Sequence, residues 1–160
     1  MKVEHHAVAS LALGAGLFLR FQSWPLSLSA WLAGTLIDVD HLLDYVCDYG
    51  LPRSIGHVFS VCRRRALRRI FLLFHSWEWV LITWAVAGMT GWNPWVVGAA
   101  AGYSLHMLAD QIVNRPYPFG YLLLWRAVHR FRIASVFPPL PARTGHAHAA
   151  HADPEDEKAS

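Results

Sequence analysis

Long apolar runs, separated by short polar turns, occupy most of the chain. Four such segments run from about Ala7 to Trp24, Leu26 to Val46, Ile70 to Gly91 and Trp95 to Val113. At a rise of about 1.5 Å per residue, a helix of about 18 residues reaches roughly 27 Å, which approaches the thickness of a bilayer's hydrocarbon core. The pattern therefore predicts an all-α integral membrane bundle of four transmembrane helices.

A shorter apolar piece follows a Pro-rich turn and runs from Phe119 to Val136. Arginines and a histidine interrupt it in an amphipathic pattern that suits a C-terminal helix lying at a membrane surface. From Pro138 onward the chain is mainly proline, alanine, histidine and acidic residues, a composition typical of disorder. We expect a membrane domain over residues 1–137 and a disordered tail over residues 138–160.

Composition favours the same class of protein. Of the 160 residues, 54% are hydrophobic and only 16% are charged, which is more apolar than a soluble domain of this length needs in order to fill a core. An apolar soluble helical protein is the alternative, but its helices would still need polar outer faces. Two cysteines, Cys47 and Cys62, are too few for a disulfide framework.

The net charge of +3 comes from clustered arginines. Such clusters indicate the orientation of a membrane protein rather than nucleic-acid binding. The central loop contains Arg53, Arg63, Arg64, Arg65, Arg68 and Arg69. Further arginines follow from Arg115 to Arg132. Because positively charged loops stay on the cytoplasmic side, this asymmetry predicts that both termini lie in the cytoplasm.

Ionisable side chains interrupt the apolar segments at a few places. They form the groups Asp38-Val39-Asp40-His41, His75 with Glu78, and His106 with Asp110. Such groups cost roughly 2.5 kcal/mol or more each at the centre of a bilayer, so they mark function. The predicted topology brings all of them, with His5 or His6, to one depth at the cytoplasmic interface. Carboxylates and imidazoles gathered in this way predict a divalent-metal site.

Helical spacing ranks the candidate ligands. Asp38 and His41 lie at i and i+3, and His106 and Asp110 at i and i+4, so each pair shares a helix face. Asp40 points elsewhere unless the helix ends there. We expect the ligands to be Asp38, His41, His75, His106 and Asp110, with Asp40 and His6 next. The competing interpretations are a solvated helix end at residues 38–41 and a buried neutral His106 bonded to Asp110.

Chemical roles beyond metal binding follow from position in the chain. Asp40 or Glu78 is a candidate catalytic general base for a metal-bound water. Arg115 and Arg126 lie close to the predicted site and are candidates for binding a substrate phosphate. The sequence contains no nucleotide-binding loop, nucleophile elbow or cysteine-based zinc motif.

Three motifs occur in order along the chain: Gly34 to His41, Phe74-His75-Ser76, and Gly102 to Asp110. They resemble the glycine-leader and Pro-Asp-Ile-Asp-His, Thr-His-Ser and Gly-Tyr-x-x-His-x-x-x-Asp motifs of the YdjM-like family, predicted LexA-regulated inner-membrane metal-dependent hydrolases. Leu122 to Trp125 is similar to that family's Leu-Leu-Trp. Ile37 departs from the family's proline, and Ile70-Phe71-Leu72 from its His-Arg-Gly. The resemblance implies a multi-pass fold in the bacterial inner membrane and a metal site.

These patterns predict a membrane-bound metal-dependent hydrolase with one or two divalent ions, Zn²⁺ being the metal we expect. A site at headgroup depth would act on a membrane lipid, with a phospholipid-like phosphoester as substrate. The alternative is a non-enzymatic membrane protein with a structural metal site. Ion transport is disfavoured because the outer halves of the segments carry few polar groups, and we expect no nucleic-acid partner. The oligomeric state does not follow from the sequence.

Overall fold

Helices of very different lengths build the structure, a computed structural model that describes residues 3–52 and 54–139. They are α1 (Val3–Phe21), α2 (Trp24–Leu36), α3 (Asp40–Tyr49), α4 (Ile55–Arg63), α5 (Trp77–Met89), α6 (Pro94–Asn114) and α7 (Leu123–Val128). Short 3₁₀ turns lie at Ile37–Val39 and Ile133–Ser135. The described part of the chain is helical and contains no strand, apart from an isolated bridge between Arg69 and Arg132.

The prediction of a four-span membrane bundle is wrong. Over the residues that the structure describes, no helix combines the length and the apolar character that crossing a membrane requires. Helices α2 and α5 have 13 residues each, so each reaches about 20 Å against the roughly 30 Å of a hydrocarbon core. Within the predicted second segment, helix α2 ends at Leu36. Within the predicted third segment, helix α5 begins only at Trp77, because residues 64–76 form no helix.

The two longest helices fall short for another reason. Helix α1 has 19 residues and α6 has 21, but polar side chains lie at both ends of α1 and in the second half of α6. In α1 they are Glu4, His5, His6 and Arg20, and in α6 they are His106, Asp110, Gln111 and Asn114. The expected multi-pass location in a bacterial inner membrane is wrong on the same finding.

The C-terminal region contains less helix than the sequence predicted. Instead of one amphipathic helix over residues 119–136, the chain forms α7, which has six residues, and the second 3₁₀ turn. Residues 138 and 139 belong to no helix. The predicted disordered tail lies outside the described residues from residue 140 onward.

Helix α2 lies against both α1 and α6, and small residues allow a very close approach to α6. A Cβ atom added at Gly98 would collide with the Leu26 carbonyl, and one at Gly102 would collide with the backbone of Ala30. At the end of α2, Gly34 lies against Ser10 of α1 and the Gly102 carbonyl. The three helices are therefore held at backbone contact, which fixes the end of α2 beside the second half of α6.

A second buried region covers the other side of α6. It consists of Ile37, Tyr45, Val58, Val61, Leu67, Ile70, Leu72, Val80, Tyr103, Met107, Tyr121 and Val136. These side chains bring the non-helical residues 64–76 against α3, α6 and the start of α7. The segment that precedes α5 is thereby held in place without being a helix.

The backbone contact between α2 and α6 gives the first prediction. Gly102→Ala should destabilise the protein by about 1–3 kcal/mol, because the new methyl group meets backbone atoms of Ala30 that cannot rotate away. Gly16→Ala is the matched control, since its Cβ would meet no atom within 4 Å. That change should stabilise α1 by about 0.5–1 kcal/mol. Urea unfolding measures both, and equal effects would contradict the packing.

Candidate metal centre

Side chains that are far apart in the sequence converge at the junction of α1, α2 and α6. We call this set the His/Asp cluster, and it consists of His6, Asp38, His41, His75, His106 and Asp110. His6 comes from α1, Asp38 from the 3₁₀ turn, His41 from α3, and His106 and Asp110 from α6. All of its members except His41 are buried. The six predicted metal ligands therefore come together in one place.

The break between α2 and α3 brings two carboxylates to the same imidazole. Two residues apart on a continuous α-helix, Asp38 and Asp40 would face different directions. The 3₁₀ turn at Ile37–Val39 changes this register. Asp38 Oδ1 lies 3.4 Å from His75 Nε2, and Asp40 Oδ2 lies 3.0 Å from His75 Nδ1. The two carboxylates thus contact opposite nitrogens of one ring.

Hydrogen-bond partners decide which nitrogen of each buried histidine carries its proton. His106 Nδ1 lies 2.8 Å from the Gly34 carbonyl, which can only accept, so Nδ1 donates. His75 Nδ1 lies against Asp40 Oδ2, which also accepts from the Phe74 amide at 3.0 Å, so this Nδ1 donates too. In the neutral rings, both Nε2 atoms then carry lone pairs. They face each other at 3.0 Å, so a proton on one of these atoms, or a metal ion bound by both, has to relieve the repulsion between the lone pairs.

Two carboxylate oxygens complete the surroundings of these nitrogens. Asp110 Oδ2 lies 3.3 Å from His75 Nε2 and 3.9 Å from His106 Nε2, and Asp38 Oδ1 lies 3.6 Å from His106 Nε2. A tetrahedral ion with bonds of about 2.0–2.1 Å holds its ligand atoms roughly 3.3 Å apart. The five distances given for these four donors run from 3.0 to 3.9 Å, around that value. Ligand atoms of His6, Asp38, His106 and Asp110 also lie within 4.8 Å of one another, so this buried His/Asp group can hold a metal ion.

The charges of the cluster favour a cation. Burial would raise the pKa of Asp38, Asp40 and Asp110, but hydrogen bonds and the charge of the histidines hold all three below their usual range. Burial would lower the pKa of His75, yet the surrounding carboxylates raise it well above 6.5. Burial and the neighbouring His75 lower the pKa of His106 to about 4. The three carboxylates therefore stay ionised, which favours a cation among them.

The two N-terminal histidines are distinguished by burial. His6 is 1% exposed, its Nε2 lies 2.9 Å from Asp110 Oδ1, and its ring stacks on His106 with centroids 3.8 Å apart. His5 is exposed. The structure therefore brings His6, and not His5, into the cluster.

The two predicted general bases have other partners. Asp40 Oδ2 accepts from the backbone amides of Phe74 and His75 as well as from the His75 ring. Glu78 accepts from the Ser76 hydroxyl and from the Leu124 amide, which ties the start of α5 to the start of α7. Burial would raise the pKa of Glu78, but these hydrogen bonds lower it. Both residues lie outside the His/Asp cluster, and the catalytic role of each stays a prediction.

The two predicted phosphate-binding arginines differ in their exposure to solvent. Arg126 is fully buried and donates to the carbonyls of Phe71 and Leu72 at 2.8 Å and of His75 at 2.9 Å. Arg115 is exposed at the end of α6, with φ of 47°. Arg126 therefore supports the backbone that presents His75, and its guanidinium does not face solvent.

Sequence reasoning missed Asp44 and Tyr103. Buried Asp44 accepts from the Phe71 amide at 2.8 Å and the Leu72 amide at 3.2 Å, and the Tyr103 hydroxyl donates to the Phe74 carbonyl. Asp44 follows Asp40 at i+4, so both carboxylates lie on one face of α3. From the sequence alone, this i, i+4 spacing could have indicated a helix face whose carboxylates accept hydrogen bonds from backbone amides.

No protein-family model, curated protein or solved structure matches this chain. The resemblance to the YdjM-like family therefore stays a prediction from the motifs. What the chain does has to be argued from its own geometry.

Removing the guanidinium of Arg126 tests its supporting role. Arg126→Lys should lower the free energy of unfolding by about 2–4 kcal/mol. The single ammonium group of lysine cannot donate to all of the carbonyls that the planar guanidinium contacts at once. Arg115→Lys, on an exposed side chain, should change it by less than about 0.5 kcal/mol. Chemical denaturation compares the two, and a stable Arg126→Lys variant would remove the supporting role.

The pH dependence of stability tests Asp44. Burial raises the pKa of Asp44 to about 6, although the amides of Phe71 and Leu72 oppose the shift. Because the folded-state pKa is raised, the stability that neutral Asp44 contributes is lost as pH rises through about 6. With a chelator present, Asp44→Asn should therefore gain about 1 kcal/mol relative to wild type between about pH 5 and about pH 7. Parallel pH profiles of unfolding free energy would contradict this.

Proposed function

We propose that this protein is a divalent-metal-dependent hydrolase that uses Zn²⁺ and acts on a phosphoester or carboxylic ester. One observation carries the proposal: the Nε2 atoms of His75 and His106 face each other at 3.0 Å beside the carboxylates of Asp38 and Asp110. Imidazole and carboxylate donors at tetrahedral spacing suit zinc.

The choice of donors supports catalysis over a structural site. Structural zinc sites are built mainly from cysteine, whereas catalytic sites use histidine and carboxylate and keep one position open to water. Catalysis therefore requires that only three of the four donors bind the ion and that water takes the fourth position. The cluster contains only histidine and aspartate. His41, with a side chain that is 20% exposed, is the member that reaches the surface. Water and substrate have access to the cluster on that side.

Several residues of the chain hold the donors in the required orientation. A bound divalent ion lowers the pKa of water toward about 7 and polarises a phosphoryl or acyl oxygen. Asp40 keeps the proton of His75 on Nδ1, and the Gly34 carbonyl does the same for His106. His6 Nε2 contacts Asp110 Oδ1, so that the other oxygen of this carboxylate, Oδ2, faces His75. Such partners of metal ligands commonly change metal affinity or activity about 10–100-fold.

Zinc-dependent turnover tests the proposal. The zinc-loaded protein should hydrolyse a nitrophenyl phosphoester or carboxylic ester, lose this activity with a chelator and regain it with zinc. His106→Ala should lower the turnover by about 100-fold or more, because it removes one of the facing nitrogens. His5→Ala, on the exposed neighbour of His6, is the matched control and should keep full activity.

A second measurement separates the alternatives. If zinc binds and raises the thermal stability, but neither ester class is hydrolysed, the site is structural and the enzyme proposal fails. If wild-type protein binds no zinc and its stability does not respond to a chelator, the metal site itself fails.

A further inference from the structure

Three buried polar atoms in the short segment 38–41 have no hydrogen-bond partner. Among the described residues these atoms are Asp38 Oδ2, Asp40 Oδ1 and His41 Nδ1. Asp38 is 6% exposed and Asp40 only 1%. Leaving a buried polar group unpaired costs about 1–3 kcal/mol, and more for a charged one. Three such atoms within four residues indicate a missing cationic partner.

One ion between His75 and His106 does not use these atoms. Its four donors are the Nε2 atoms of His75 and His106, Asp38 Oδ1 and Asp110 Oδ2. The second oxygen of Asp38 remains, together with His41, whose Nε2 lies 3.6 Å from Asp38 Oδ1. The cluster thus holds more donors than one tetrahedral ion takes.

The donors also fall into two groups that share one residue. Ligand atoms of His6, Asp38, His106 and Asp110 all lie within 4.8 Å of one another, and so do those of Asp38, His41 and His75. The first group contains His6 where the four donors above contain His75, and the second group contains His75. Asp38 is common to both groups. A carboxylate has two oxygens and can therefore bind one ion with each.

We propose that a second divalent cation is bound by Asp38, Asp40 and His41, and that the Asp38 carboxylate bridges the two ions. This inference rests on the proposed metal-dependent function and extends it. Asp40 would then bind the second ion through Oδ1 while it positions His75 through Oδ2.

The second position also narrows the substrate class. It lies on the side of His41, the exposed member of the cluster. Paired ions about 3.5–4 Å apart stabilise both the attacking and the leaving oxygen in displacement at phosphorus. A phosphoester is therefore the substrate that this arrangement favours over a carboxylic ester.

Manganese binding tests the paired site with a readout independent of turnover. Wild-type protein equilibrated with Mn²⁺ should bind about two equivalents, and its electron paramagnetic resonance spectrum should show two coupled ions. His41→Ala should bind about one equivalent, uncoupled, since the first position keeps its own ligands. Asp38→Asn should lower the affinity at both positions. His129→Ala, a histidine stacked on Trp125 away from the cluster, should behave as wild type.

Each outcome has a distinct meaning. A single uncoupled ion in wild type, unchanged by His41→Ala, overturns the second cation and leaves the hydrolase proposal standing. Coupled ions in a protein that hydrolyses no ester support the paired site and defeat the enzyme proposal. Circular dichroism confirms that each variant is folded, and His41→Gln replaces His41→Ala if the alanine variant is not.

Discussion

The backbone contact between α2 and α6 determines where the ligands of α6 lie relative to the end of α2. Gly98 and Gly102 place the backbone of α6 directly on Leu26 and Ala30 of α2. One turn beyond Gly102, His106 donates to the Gly34 carbonyl of α2 and lies beside Asp38. A larger residue at the glycine positions would separate the helices and move His106 away from its partners.

The second constraint is the support of a non-helical segment. Residues 71–76 present His75 without any helix of their own, so side chains have to satisfy their backbone groups. Asp40 and Asp44 accept from the amides, and Arg126 donates to the carbonyls. The same carboxylate, Asp40, orients the imidazole and holds the backbone that carries it. Ligand geometry and local folding are therefore coupled at this position.

The sequence singled out side chains that the structure brings together, but it predicted the wrong fold around them. The spacing of His106 and Asp110 places both on one helix face whether or not the helix lies in a membrane, so that prediction did not depend on the membrane. The span prediction counted apolar residues and did not detect that α2 ends at Leu36 or that residues 70–76, at the start of the third apolar run, are not helical. The partners of Arg126 and Glu78 are long-range contacts, for which local periodicity carries no signal.

X-ray absorption at the zinc edge of the purified, zinc-loaded protein tests the central claim most directly. The claim predicts nitrogen and oxygen neighbours at about 2.0–2.1 Å, together with the outer-shell scattering of imidazole rings that His75 and His106 would give. Sulfur neighbours at about 2.3 Å, or a shell without imidazole scattering, would place the metal elsewhere and contradict the account.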